Sequence, residues 1–124
     1  MKPFKLIKAL FGPRVPRRRA IDCFERVRAG SAILIDVREP GEWAGGVAGR
    51  AVLLSLSDLS GPRARWAPFL AAHRERELLF YCGAGVRAGM AARILAREGF
   101  RTANAGSFKE WSAAGWPVVK PRSP

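Results

Sequence analysis

Short apolar runs alternate with stretches of helical spacing along most of the chain. Residues 32–35 and 78–81 are continuous apolar runs, followed at once by Asp36 and Cys82 respectively. They are too short for helices and too apolar for edge strands, which is typical of central strands in a parallel sheet. Weaker patterns predict further strands over residues 52–56 and 102–104.

Between these runs the apolar residues recur at the spacing of a helix face. Ile21, Phe24 and Val27 lie three apart before Gly30, and a glycine commonly ends a helix. The predicted helical segments are 21–29, a turn that begins at Pro40, 59–72 with breaks near its prolines, 87–98 and 108–114. Strands that alternate with helices predict an α/β fold, an open parallel sheet of about five short strands with helices on both faces.

The length of 124 residues fits one domain. We predict a domain over residues 20–119, preceded by a basic arm over residues 1–19 and followed by a tail over residues 120–124. Within the arm, Phe4, Leu6, Ile7, Leu10 and Phe11 indicate a short basic amphipathic helix. We interpret the arm as packing on the domain or staying mobile. The alternative is an anchor to a partner or a weak contact with a membrane surface.

The formal net charge of +12 raises nucleic acid, an anionic membrane or an anionic substrate as partners. Much of this charge lies in the arm, which has no acidic residue. The basic residues of the arm are Lys2, Lys5, Lys8, Arg14, Arg17, Arg18 and Arg19. Because the rest of the chain is only mildly basic and its arginines are scattered, we predict no nucleic-acid partner.

The two cysteines, Cys23 and Cys82, are too few for a secreted disulfide framework. No apolar run approaches the length that would span a bilayer, and the N-terminus lacks the pattern of an export signal. We therefore predict a cytoplasmic protein with no transmembrane segment.

The sequence CGAGVR, from Cys82 to Arg87, joins a predicted buried strand to a predicted helix. Gly83 and Gly85 allow the backbone to curl with its N–H groups inward, and the helix N-terminus adds partial positive charge. Such surroundings stabilise a thiolate, which is the nucleophilic form of cysteine. A lone cysteine is more often a small buried residue that ends a strand, but these neighbours favour a reactive one.

Several motifs in order resemble those of the single-domain rhodanese, or thiosulfate sulfurtransferase, family. Residues 32–40 (AILIDVREP) are similar to the family's first strand and the segment after it, and residues 79–87 (LFYCGAGVR) to its active-site strand and loop. Further family elements are similar to Glu42 with Trp43, the glycine-bounded residues 45–49, Gly99 with Phe100, and the motif at residues 104–116 (NAGSFKEWSAAGW). The resemblance covers most of residues 20–119.

The resemblance implies sulfur transfer through a persulfide on Cys82, with no cofactor. A small anionic donor such as thiosulfate would give its outer sulfur to Cys82, and cyanide, a thiol or a protein would accept it. The backbone amides of Gly83, Ala84, Gly85, Val86 and Arg87 would cradle the persulfide, while Arg87 would orient the loop or attract the donor.

The resemblance also places Asp36 and Arg38 near the loop, where we interpret both as structural supports. Asp36 would brace the loop, and Arg38 would pair with an acid such as Glu42. The residue after the cysteine is often Arg or another polar residue in relatives, whereas Gly83 leaves Arg87 as the only loop charge. A doubly charged donor such as thiosulfate would therefore find few cationic partners.

Two other functions stay open. A phosphatase or arsenate-reductase-like enzyme also uses a cysteine, a backbone cradle and an arginine, but it places five residues between them, and only 83–86 intervene here. A non-catalytic interaction module or a sulfur relay is the other alternative. The sole histidine, His73, has no second ligand candidate, so we predict no metal site. We interpret Cys23 as inert helix packing and the tryptophans as core or rim residues.

Overall fold

A computed structural model describes residues 14–121, so the helix predicted between Phe4 and Phe11 lies outside the described residues. Four strands form a parallel sheet: β1 (Ala32–Asp36), β3 (Val52–Leu53), β4 (Glu77–Cys82) and β5 (Thr102–Ser107). Their spatial order is β3-β1-β4-β5, which makes β1 and β4 the central strands. Two further strands, β2 (Val47–Ala48) and β6 (Val118–Val119), pair antiparallel beside this sheet.

The helices connect these strands and cover both faces of the sheet. A 3₁₀ helix, Ala20–Cys23, leads into the first α-helix. The α-helices are α1 (Phe24–Ala29), α2 (Pro40–Trp43), α3 (Leu56–Leu59), α4 (Trp66–Ala72), α5 (Val86–Arg97) and α6 (Phe108–Ala113). The predicted fold class, a parallel α/β sheet with helices on both faces, is confirmed.

Strand β4 divides the hydrophobic core into two clusters because alternate side chains of a strand point to opposite faces. Leu78, Phe80 and Cys82 belong to the cluster that also contains buried residues of α3, α4 and α5. Leu79 and Tyr81 belong to the other cluster, with buried residues of α1 and α6. Burial on both faces explains why β4 reads as a continuous apolar run.

Some element boundaries differ from the predicted ones, because side chains cap helices that the apolar pattern does not reveal. The strand predicted over residues 52–56 ends at Leu53, since the Ser55 side chain accepts the Asp58 N–H and caps α3. The helix predicted over residues 59–72 is two helices, since the Asp58 carboxylate accepts backbone N–H groups of Ala64, Arg65 and Trp66.

Strand β5 is longer than the predicted 102–104 and reaches Ser107, which forms a capping box with Glu110 at the start of α6. Asn104 of this strand also pairs with residues that precede the predicted domain. Asn104 donates its backbone N–H to the Pro16 carbonyl at 2.9 Å, and its own carbonyl accepts the Arg18 N–H at 2.9 Å. Residues 16–18 thus extend the edge of the sheet.

We expect Phe80→Ala to lower the free energy of unfolding by about 3–5 kcal/mol, because it leaves a cavity in the middle of the central strand. Phe80 is 0% exposed, whereas Val118 on β6 is 46% exposed. Val118→Ala is therefore the control, with a change within about 0.5 kcal/mol. Urea denaturation measures both values, and equal losses for the two variants would contradict this packing.

Candidate active site

Cys82 ends the central strand β4, at the edge of the sheet where the parallel strands all finish. Asp36 ends the neighbouring strand β1, and Ser107, the register partner of Cys82, ends β5 on the other side. The carboxyl ends of such strands are where open α/β sheets bind their ligands. The Cys82 side chain is only 1% exposed, so its sulfur lies at the floor of this edge.

Two backbone N–H groups point at the sulfur of Cys82. Gly85 donates to Sγ at 3.0 Å, and Ala88 donates to the same atom at 3.3 Å. Gly85 precedes the first residue of α5 and has a φ of 92°, a left-handed conformation that favours glycine. The N-terminal end of α5 therefore supplies donors and partial positive charge to whatever anion occupies the Sγ position.

The structure brings the predicted loop residues together around Cys82, but they contribute differently. The N–H of Gly85 points at Sγ, while Gly83, Ala84 and Val86 are exposed around the cysteine. Ala88 lies outside the predicted cradle and yet donates to Sγ. The signal for it was available, since the first N–H groups of any helix lack partners within the helix.

Arg87 forms a bidentate ion pair with Glu42 of α2. The two nitrogen–oxygen distances are 2.6 and 2.9 Å. Hydrogen bonding from the Arg87 guanidinium lowers the pKa of Glu42 to about 2. The same bond is the main cause of a raised pKa for Arg87. Arg87 is therefore a permanent cation held by a permanent anion.

The expected pairing of Arg38 with Glu42 is wrong. Arg38 instead binds Asp36, with Nε 3.1 Å from each carboxylate oxygen and Nη2 2.8 Å from Oδ2. Asp36 also accepts the backbone N–H of Arg38 at 2.9 Å. Because this backbone bond bends the chain directly after β1, the two side chains meet two residues apart, and Glu42 is left to Arg87.

Asp36 is fully buried and organises the residues just before the loop. The Tyr81 hydroxyl donates to Asp36 Oδ2 at 2.5 Å and accepts the Ala48 N–H at 2.9 Å. Burial and the Asp36 carboxylate raise the pKa of Tyr81. Within residues 14–121, no hydrogen bond of the Asp36 side chain reaches residues 83–87. The Asp36 side chain therefore contacts Tyr81, the neighbour of Cys82, and not the loop itself.

Asn104 is a contact of the loop that the site prediction did not include. Its side-chain amide donates to the Gly85 carbonyl at 2.9 Å, while its amide oxygen accepts the Gly106 N–H at 2.9 Å. Asn104 thus connects the end of β5 to the residue whose N–H faces Sγ. Only its membership in the motif at residues 104–116 marked it in the sequence.

The other singled-out residues lie away from this edge. Cys23 is 0% exposed in the core cluster on the opposite face of the sheet from Cys82, and burial raises the pKa of its thiol.

Among the described residues, no group of three His, Cys, Asp or Glu side chains could hold a metal ion. A cleft of about 700 Å³ is lined by residues that include Trp43, Leu53 and Lys120, but neither Cys82 nor residues 83–87 line it.

The family model for the rhodanese-like domain matches residues 22–114, so this chain belongs to the rhodanese-like family. A rhodanese-related protein from Thermoplasma volcanium is 26% identical, with a TM-score of 0.71 over 86% of this chain and 99% of that one. A rhodanese from E. coli, solved with anions, is 27% identical, with a TM-score of 0.59 over 73% of this chain and 99% of that one. No curated protein matches the sequence significantly.

A protein from Rhodopseudomonas palustris, described as a possible tyrosine phosphatase, has the same fold. It is 20% identical, with a TM-score of 0.69 over 85% of each chain. At this level of identity the likeness concerns the fold alone. Among residues 14–121, no helix is long and apolar enough to cross a membrane.

We expect Arg38→Met to lower the free energy of unfolding by about 3–5 kcal/mol, because it leaves the Asp36 carboxylate buried without its cation. Tyr81→Phe removes one neutral donor to the same carboxylate and should cost about 1–3 kcal/mol. Urea denaturation at neutral pH compares the two variants. A smaller loss for Arg38→Met than for Tyr81→Phe would mean that the ion pair is not the main support of Asp36.

We expect NMR titration of the Glu42 carboxyl group to give a midpoint near pH 2, against an ordinary pKa of 4.5. Because the folded-state pKa is lowered, the stabilisation from this pair is present above the ordinary pKa and is lost as the pH falls towards 2. Arg87→Gln should return the midpoint most of the way to 4.5. Glu98, which pairs with Arg63, should keep its lowered pKa in that variant. An unchanged Glu42 midpoint would exclude Arg87 as the cause.

Proposed function

We propose that this protein is a sulfurtransferase that carries a sulfane sulfur as a persulfide on Cys82. The observation that carries the proposal is the position of Sγ at the end of β4, facing the N–H groups of Gly85 and Ala88. These donors stabilise a thiolate before the reaction and a persulfide anion after it. Membership in the rhodanese-like family supports the same chemistry.

The reaction needs only one nucleophile. The Cys82 thiolate attacks the outer sulfur of a donor such as thiosulfate, the Sγ–S bond forms, and the donor's S–S bond breaks with its electron pair leaving on sulfite. Cyanide or a thiol then attacks the outer sulfur of the persulfide. The electron pair of the Sγ–S bond returns to Cys82, and the thiolate is regenerated. In this proposal the acceptor is a small molecule or the thiol of a partner protein.

The remaining loop residues have supporting roles in this proposal. Gly83, Ala84 and Val86 form the exposed rim through which donor and acceptor reach the buried sulfur. Arg87 orients the loop through its ion pair with Glu42, while Asp36 and Arg38 support the strand end without touching the reacting atoms. A cytoplasmic, reducing compartment belongs to the same proposal, because the reaction requires Cys82 as a free thiol.

Loop length argues against a phosphatase. Four residues, 83–86, separate Cys82 from Arg87, and the enzymes that enclose phosphate or arsenate need a longer loop. The Arg87 guanidinium also binds the Glu42 carboxylate, so it is not free to bind a phosphate or arsenate group. The ring around Cys82 suits one additional sulfur atom better than a tetrahedral oxyanion.

We expect intact-mass spectrometry after thiosulfate treatment to show a gain of one sulfur atom that cyanide removes. Cys82→Ser should abolish the gain and reduce thiocyanate formation to the uncatalysed rate, because the nucleophile is lost. Cys23→Ser is the matched control and should retain the adduct, since Cys23 lies in the opposite core cluster. An adduct that survives Cys82→Ser, or none with thiosulfate or any persulfide donor, would reject the proposed function and leave a non-catalytic module.

A further inference from the structure

We call residues 83–87 together with Glu42 the entrance to the candidate active site. Its cation, Arg87, is neutralised by an ion pair. Arg87 is the only charged side chain in residues 83–87, and both of its terminal nitrogens bind the Glu42 carboxylate. Arg38, which also lies beside this edge, is buried against Asp36. Neither guanidinium is therefore free to bind an anionic donor.

Glu42 is held in place by its own helix as well as by Arg87. Its side chain accepts the Glu39 N–H at 3.1 Å, as the third residue of a capping box at the start of α2. The Glu39 side chain in turn accepts the Ser57 hydroxyl at 2.6 Å. The carboxylate is thus built into the framework of α2 and α3, so it is a fixed part of the entrance.

The Arg87–Glu42 ion pair lies close against Gly83, the residue that follows Cys82, because glycine has no side chain there. A Cβ atom at position 83 would lie 3.0 Å from Arg87 Nη2 and 3.8 Å from Glu42 Oε2. The guanidinium and the carboxylate therefore both lie beside Gly83, the exposed residue next to Cys82. A second negative charge on an incoming donor would meet Glu42 there and gain no free cation in return.

We infer that Glu42 determines which donors the site prefers according to their charge. Its carboxylate keeps the entrance neutral, so the preferred donor is a singly charged sulfane such as a thiol persulfide or a thiosulfonate. The inference rests on the proposed function and restricts its substrate class. The N–H groups of Gly85 and Ala88 serve the one sulfur that is transferred. Thiosulfate reacts at the same atom but brings an additional charge that this entrance does not neutralise.

The step is the same for each donor and differs only in its leaving group. The Cys82 thiolate forms a bond to the outer sulfur while the donor's S–S bond breaks. The electron pair leaves as a thiolate from a thiol persulfide, as methanesulfinate from methanethiosulfonate, and as sulfite from thiosulfate. The last two donors are a suitable pair of probes, because they share a sulfonyl-type leaving group and differ by one unit of charge.

The test compares kcat/KM for methanethiosulfonate and for thiosulfate, with cyanide as acceptor, in wild type, Glu42→Gln and Glu98→Gln. In a double-displacement reaction this parameter reports the transfer from the donor alone. Glutamine can keep the capping box and a hydrogen bond to Arg87 while removing the charge. The Glu98–Arg63 pair is a matched control, because it is also bidentate, with both distances 2.8 Å, and similarly exposed. It lies at the far end of α5, roughly 20 Å along the helix from Gly85.

We expect wild type to prefer methanethiosulfonate, and Glu42→Gln to lower that preference by on the order of three- to tenfold, mainly by raising kcat/KM for thiosulfate. The thiosulfate reaction of Glu42→Gln should also become more sensitive to added salt. Glu98→Gln should leave the preference within about twofold of wild type.

Equal changes with both donors in Glu42→Gln, or an unchanged preference, would overturn the inference and leave Glu42 as a structural partner of Arg87. Circular dichroism and the unfolding midpoint identify a variant that fails to fold, and Glu42→Asp then keeps the charge as a second comparison, expected to retain the wild-type preference. Absence of a Cys82 persulfide with every donor in wild type would instead reject the proposed function itself, so the two failures are distinguishable.

Discussion

The buried carboxylate of Asp36 is the interaction on which the candidate site depends. Its position inside the protein is tolerable only because Arg38 and Tyr81 satisfy both of its oxygens. Arg38 extends the same network to the Gly46 carbonyl at 2.7 Å and lies over the Phe108 ring. One carboxylate thus joins β1, the residue before Cys82, the segment before β2 and the start of α6.

The chemistry of Cys82 follows from the two kinds of charge around it. Backbone N–H groups at the start of α5 face the sulfur, and their partial charges cannot be removed by pairing with a side chain. The full charge of Arg87 is different, because Glu42 cancels it at the entrance. Under the proposed function, the site would therefore stabilise one anionic sulfur atom at the buried Cys82 without offering a general anion site at its entrance.

Much of the fold could be predicted because its signals are local. Strands β1 and β4 are continuous apolar runs, and glycines follow helices α1 and α5. The pairing of β2 with β6 could not be predicted, because each strand has two residues and nothing in either segment identifies its partner. The ends of β3 and β5 were misplaced for a related reason: Ser55 and Ser107 cap helices, and the apolar pattern does not register a cap.

By itself the sequence determined the class of fold and the location of Cys82 between a buried strand and a helix, because apolar periodicity and loop glycines act over a few neighbouring residues. Only the tertiary structure decided which charges meet. Glu42 and Arg87 are 45 residues apart in the chain, as are Asp36 and Tyr81. From the sequence, Arg38 could pair with Asp36 or with Glu42. The turn after β1 brings it to Asp36. Side-chain partners of this kind depend on how separate elements pack, and no local pattern encodes that.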